Sequence, residues 1–221
     1  MQLSRQCAAE AIGTFILVFT GTGAVVFGDI SDGLVTPLGI GLVFGLAVMT
    51  LIYTLGDISG AHINPAVTLG FWASGQFKAK LVAPYILSQC SGALLASLLL
   101  RALFGNHANM GATIPKEDLV YQCLILEIIL TFILMFVILN VATGAKEKGI
   151  VVGIVVGGVI ALEAIFAGPI SGASMNPARS LGPAIASMNF TGFWIYLLAP
   201  PLGALLAVPA WRWIRLPKRD L

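Results

Sequence analysis

The sequence predicts an all-α membrane protein, a bundle of six transmembrane helices with two shorter helices that enter the bilayer and turn back. Three observations predict it. The composition is apolar, with 58 % hydrophobic and 10 % charged residues, where an average soluble domain carries about 25 % charged. Six apolar runs are each long enough to cross the hydrocarbon layer, which takes about 20 residues of helix. A polar, helix-breaking stretch, "SGAHINPAVTLG" at 59–70, recurs as "SGASMNPARSLG" at 171–182.

The runs follow in order. The first, 7–27, is apolar except for an early acid, Glu10. The second, 37–55, carries Gly41 and Gly45, a small-xxx-small spacing that suits close helix crossing. The third, 81–100, has the same spacing at Gly92 and Ala96, and the fifth, 150–170, continues it through Gly149, Gly153 and Gly157. The fourth, 119–141, holds Glu127, and the sixth spans 193–213. Glu163 lies inside the fifth run; binding loop backbone and lining a polar wall both remain open for it.

The two halves resemble each other. "AEAIGTFILVF" at 9–19 matches "LEIILTFILMF" at 126–136, pairing Glu10 with Glu127 and Thr14 with Thr131. One register, with a small loop-length change, carries both this match and the doubled polar stretch. Each half has three spans, an odd number, so the second half enters from the opposite face, as inverted repeats do. The chain therefore reads as one channel-like domain, 1–221, of two repeats (about 1–105 and 119–221) joined by an outer loop. Arg5, Lys78, Lys80, Lys146, Lys148, Arg212, Arg215, Lys218 and Arg219 then share one side. Asp29, Asp32, Lys116, Glu117 and Asp118 share the other, with Arg101 near its edge. The positive-inside rule makes both termini cytoplasmic. No cleavable leader is expected, because the first run lacks a small-residue cleavage site.

After each Asn-Pro-Ala comes a short run, 67–75 and 179–188, about half a membrane thick. Asn is a strong N-cap and Pro is favoured at the first helical position. Asn64–Pro65 and Asn176–Pro177 thus read as helix starts in mid-membrane, each preceded by an unwound stretch, 59–63 and 171–175. Non-helical backbone at that depth survives only when buried in protein or lining a wet cavity. The carbonyls of these stretches, at Gly60, Ala61, His62, Gly172 and Ser174, are expected to line a pore.

Paired Asn-Pro-Ala motifs, a glutamate in the first and fourth spans, and six spans in two inverted halves resemble the aquaporin (major intrinsic protein) family over nearly the whole chain. The resemblance implies a right-handed bundle of six helices and two half-helices, one pore per subunit, and a homotetramer in the cell membrane. It places Asn64, Pro65, Ala66, Asn176, Pro177 and Ala178 at the pore midplane. It places the selectivity filter on Phe44, Ala164, Ala173 and Arg179. Water-selective members carry a histidine at the position of Ala164, so a wider aperture is expected. "FAGPISGASMNPARSLGPA" is similar to the plant nodulin-like branch and its bacterial relatives, which pass uncharged metalloid acids or glycerol. Ser180 stands where glycerol specialists carry Asp, and Phe44 with the aromatic pair Phe193–Trp194 points instead to a water-selective channel.

Each side chain then has an expected role. The two Asn amides point donors into the lumen, orienting water so that a proton wire is interrupted, and the half-helix N-termini repel cations. Arg179 is a charge inside apolar sequence, a functional hypothesis by default. Glu10 and Glu127 hold the backbone of the loops, with proton coupling in a secondary transporter as the rival reading. His62 anchors its loop. No metal site, cofactor, nucleic-acid partner or enzymatic activity is expected: the other histidine, His107, lies in the outer loop, and no Ser–His, Cys–His or paired-Asp constellation shares a depth. The three cysteines, Cys7, Cys90 and Cys123, read as small membrane hydrophobes. "NFT" at Asn189 matches a glycosylation sequon at the end of the second short run and reads as incidental. The reading is a passive channel for water and small uncharged solutes in the lipid bilayer.

Overall fold

A computed structural model describes residues 3–142 and 146–215, with backbone alone at 146–149. Eight α-helices are described: α1 (Leu3–Ile30), α2 (Pro37–Ser59), α3 (Pro65–Ala73), α4 (Ala79–Phe104), α5 (Val120–Ala142), α6 (Lys146–Ser171), α7 (Pro177–Ser187) and α8 (Phe193–Ile214). Among the described residues, six are long and apolar enough to cross a membrane. Most outrun their apolar stretches, because a helix continues past the hydrocarbon until something caps it. With 28 residues, α1 is about 42 Å long, more than the roughly 30 Å core. The short helices start at the two prolines, as the Asn-Pro pairs imply, and hold 9 and 11 residues.

The halves interlock. Helix α4 packs on α7 and α8 packs on α3, so each short helix is held by a long one from the other half. Close crossings rest on glycine. Where α2 meets α6, a Cβ on Gly45 would lie 2.5 Å from the Gly157 carbonyl oxygen, and one on Gly157 would lie 2.5 Å from that of Gly45. At Gly92 on α4 and Gly203 on α8, an added Cβ would come within 2.1 and 2.3 Å of backbone carbonyls. The side chains of Lys146 and Lys148, the surroundings of Gly149, and Lys218 and Arg219 lie outside the described residues.

Polarity is inside out. Leu87, Leu95, Ile125, Leu162 and Leu198 are exposed, while Glu10, Thr14, Gln89, Glu127, Thr131 and Glu163 are buried. An exposed apolar belt of this kind needs lipid or another subunit to cover it. The cysteines are free. Two arginines cap the short helices at their C-termini. Arg212 at the end of α8 donates to the Ala73 carbonyl at 2.8 Å, and Arg101 near the end of α4 donates to the Ala186 carbonyl. Cations at helix C-termini satisfy orphan carbonyls and oppose the dipole.

An axial pore and its outer ring

The two polar loops are built alike. Helices α2 and α6 run through Ser59 and Ser171, so the unwound stretches are one residue shorter than expected at their start. Each loop alternates into left-handed backbone. Gly60, Ala61 and Ile63 have φ of 88°, 48° and 44°, and Gly172, Ala173 and Met175 have φ of 80°, 41° and 52°. For a β-branched residue such as Ile63 this is a strained conformation. What holds it is a buried acid behind each loop. Glu10 Oε1 accepts from Ser59 Oγ and the His62 N–H, and its Oε2 from the Ile63 N–H at 2.6 Å and Gln89 Nε2 at 2.7 Å. Glu127 Oε1 accepts from Ser171 Oγ and the Ser174 N–H, and its Oε2 from the Met175 N–H at 2.9 Å. Tyr85 and Tyr196 donate to the carbonyls of Ser59 and Ser171 at 2.9 and 2.6 Å.

The loops end in the two asparagines. Asn64 Oδ1 accepts the Ala66 N–H at 2.8 Å, and Asn176 Oδ1 accepts those of Ala178 and Arg179 at 3.0 and 3.2 Å. Each amide also donates across to the other half: Asn64 Nδ2 to the Met175 carbonyl at 2.8 Å and Asn176 Nδ2 to the Ile63 carbonyl at 2.9 Å. An amide has two N–H groups, so one from each residue is spent on this clasp and one remains for the lumen. Pro65, Ala66, Pro177 and Ala178 do not line the cavities. They form the first turns of α3 and α7, next to the asparagines, and are buried in packing. His62 is also buried: its Nδ1 lies 3.1 Å from Thr68 Oγ1, and its ring stacks on Phe71 at 4.7 Å. It lines the inner vestibule as well.

Three cavities lie end to end along the axis and share their walls. A vestibule of about 550 Å³, the inner one in the orientation expected from the charges, carries Gly60, Ala61, His62, Asn64 and Asn176 on its lining. The middle passage holds about 30 Å³, room for a water or two at about 10–15 Å³ each. An outer vestibule of about 360 Å³ follows, with Gly172 on its wall. Asn64 and Asn176 belong to both the inner vestibule and the passage, and Ser174 lines the passage. Phe44, Ala164, Ala173 and Arg179 belong to both the passage and the outer vestibule. These four residues therefore lie together where the narrow passage joins the outer vestibule.

Arg179 is buried, with its guanidinium 4.8 Å from the centre of the Phe44 ring. Its Nη1 donates to the Gly111 carbonyl at 2.7 Å. Gly111 ends a short turn in which Ala108, Asn109, Met110 and Gly111 all have positive φ, from 44° to 70°. Left-handed backbone costs roughly 1–2 kcal/mol per non-glycine residue. The turn is tied down by Met110, fully buried, and by His107, whose Nδ1 lies 3.0 Å from Asp29 Oδ2. Sequence reasoning missed Gly111, because nothing in "GNHANMG" marks four left-handed residues in a row. It also missed the apolar wall of the passage, Leu17, Leu134, Val48 and Ile160. A signal existed: Leu17 pairs with Leu134 in the register of the two acids, and Val48 with Ile160 in that of the two motifs. Glu163 lines none of these cavities and bonds to no loop backbone, so neither reading of it holds.

A six-span bundle that is apolar outside and opens along its axis into joined cavities defines a membrane channel. The profile of the family described as Major intrinsic protein matches residues 1–211, and the chain belongs to that family. The chain is 47 % identical to Aquaporin NIP1-1 of Zea mays over 218 residues, covering 98 % of this chain and 77 % of that one. It is 42 % identical to Nodulin-26 of Glycine max, covering 98 % and 80 %. Among solved structures, the aquaglyceroporin from Plasmodium falciparum superposes with a TM-score of 0.87 at 26 % identity, covering 96 % of this chain and 97 % of that one. The protein is a multi-pass membrane channel and not an enzyme.

Proposed function

We propose that the channel passes small polyols or uncharged metalloid acids alongside water, and that it excludes protons and ions at two levels. The observation that carries this is the composition of the outer ring: one guanidinium, one aromatic face and two methyl groups, at Arg179, Phe44, Ala164 and Ala173, around a single narrow point. A solute with hydroxyl groups finds donors on Arg179 and an apolar face on Phe44 for its carbon or metalloid skeleton. Ala164 leaves the room that a histidine would fill. Likeness to an aquaglyceroporin and to nodulin-like channels supports the same range. Below the ring, the free N–H groups of Asn64 and Asn176 and the positive ends of α3 and α7 would turn each water and oppose cations. The apolar wall at Leu17, Val48, Leu134 and Ile160 offers a permeating water no partner on its side of the passage. Coupled proton transport is disfavoured, because Glu10 and Glu127 are committed to the loops. The same reading places both termini in the cytoplasm, the protein in the cell membrane, and the subunits in a homotetramer that covers part of the apolar belt.

Stopped-flow light scattering of proteoliposomes under water, glycerol, urea and arsenous acid gradients tests the solute range. Wild type should pass water and at least one larger solute, and Ala164→His should suppress the solute while sparing water. Water flux with no solute flux above empty liposomes would leave a water-selective channel instead.

A further inference from the structure

The two acid sites differ by one bond. Glu10 Oε2 accepts both the Ile63 N–H and Gln89 Nε2, whereas Glu127 Oε2 accepts the Met175 N–H alone among these groups. Tyr85 and Tyr196, which bond equivalent serine carbonyls, set the register between α4 and α8. In that register Gln89 falls on Pro200, a residue with no side-chain donor. The second acid site therefore lacks the donor that completes the first, although both carboxylates are fully buried.

A second oddity lies beside it. Glu163 is 1 % exposed, and neither of its oxygens has a hydrogen-bond partner. In the register of Ser59 and Ser171 its counterpart is Leu51, a core residue. On α6, Glu163 is two turns from both Val156 and Ile170, so the three share one face. That face meets α5: Ile170 packs on the cluster that holds Cys123, and Val156 shares a core cluster with Leu130 and Leu134. The acid on α5 that acts electrostatically on Glu163 is Glu127. The other groups nearby are Cys123 on α5, and Arg179 and Tyr196, which act on Glu127. On α2, Tyr53 and Asp57 belong to the inner vestibule, with the Tyr53 ring against Gly153.

We propose that Glu163 is held as a neutral carboxylic acid whose O–H supplies the missing donor to Glu127 Oε2, across the α5–α6 contact or through one bridging water. Two carboxylates in so dry a place cannot both ionise. One shared proton turns a repelling pair into a hydrogen-bonded one, because a protonated carboxyl both donates and accepts. Glu163 is then a positioning residue. It steadies Glu127, which holds Ser174 and Met175, and with them the loop that carries Ala173 and Asn176. It does for the outer loop what Gln89 does for the inner one, and this holds whichever solute passes.

Infrared difference spectroscopy of reconstituted wild type against Glu163→Gln tests it. At neutral pH, wild type should show a protonated-carboxyl carbonyl band that shifts in heavy water and is lost in the Gln variant. Glu163→Gln keeps a donor and should retain wild-type thermal stability. Glu163→Leu, the residue of the other half, removes it and should inactivate roughly tenfold faster on heating, as expected when a buried acceptor loses its partner. Absence of the band in wild type would mean an ionised Glu163 and overturn the proposal. A Leu variant as stable as the Gln variant would overturn it too. The infrared result stands alone if the Leu variant does not assemble.

Discussion

The outer and inner mouths of the pore occupy equivalent positions and are built for different jobs. In the register of the two motifs, Phe44 corresponds to Val156, Ala164 to Ile52, Ala173 to Ala61, and Arg179 to Val67. The first set surrounds the end of a passage of about 30 Å³, while the second lines a vestibule of about 550 Å³. Packing volume behind each ring is redistributed rather than added. Gly21 leaves room for the Phe44 ring, and a Cβ there would lie 2.1 Å from it. At the inner mouth Ile138, equivalent to Gly21, lines the vestibule beside Val156. Charge differs as well, since Arg179 has the Gly111 carbonyl to hold it. One architecture used twice carries a ring, a guanidinium and one loop carbonyl at one end, the end proposed to be selective.

The largest effect should come from trading the packing of one mouth for the other. Gly21→Ile alone forces a branched side chain into the Phe44 ring and should destabilise by about 1–3 kcal/mol, as overpacking does. Adding Phe44→Val should recover most of that loss, because the pair then copies Ile138 and Val156. Thermal unfolding of the two single variants and the double variant gives the coupling; additive effects would mean that the residues do not share volume. The smallest effect concerns the two arginine caps. Arg101→Ala and Arg212→Ala should each lower stability by no more than about 1 kcal/mol, seen as a small fall in melting temperature. Neither should alter charge exclusion, since each sits at the far end of its half-helix from the asparagine.

Much of this was legible in the sequence. Composition and run length gave six spans, and the doubled motif gave the half-helices, because Asn then Pro is both a cap and a start. The acids Glu10 and Glu127 stood out as charges in apolar runs. What escaped was backbone conformation and cross-half contact. Ala61, Ile63, Ala173 and Met175 carry no sign of left-handed φ, and the bonds that hold Ile63 and Met175 come from acids far along the chain. The clasp of each asparagine on the opposite loop was hidden for the same reason. Gly111 was invisible because its role lies in its carbonyl, which every residue has.

The central claim is that charge exclusion requires Arg179 in the outer ring as well as the asparagine level below it. The most direct test is proton and ammonium flux through proteoliposomes containing Arg179→Val, which gives the outer mouth the residue of the inner one. The account predicts that water and neutral-solute flux persists while a proton or ammonium leak rises above that of wild type. A correctly inserted variant with every permeability unchanged would contradict it.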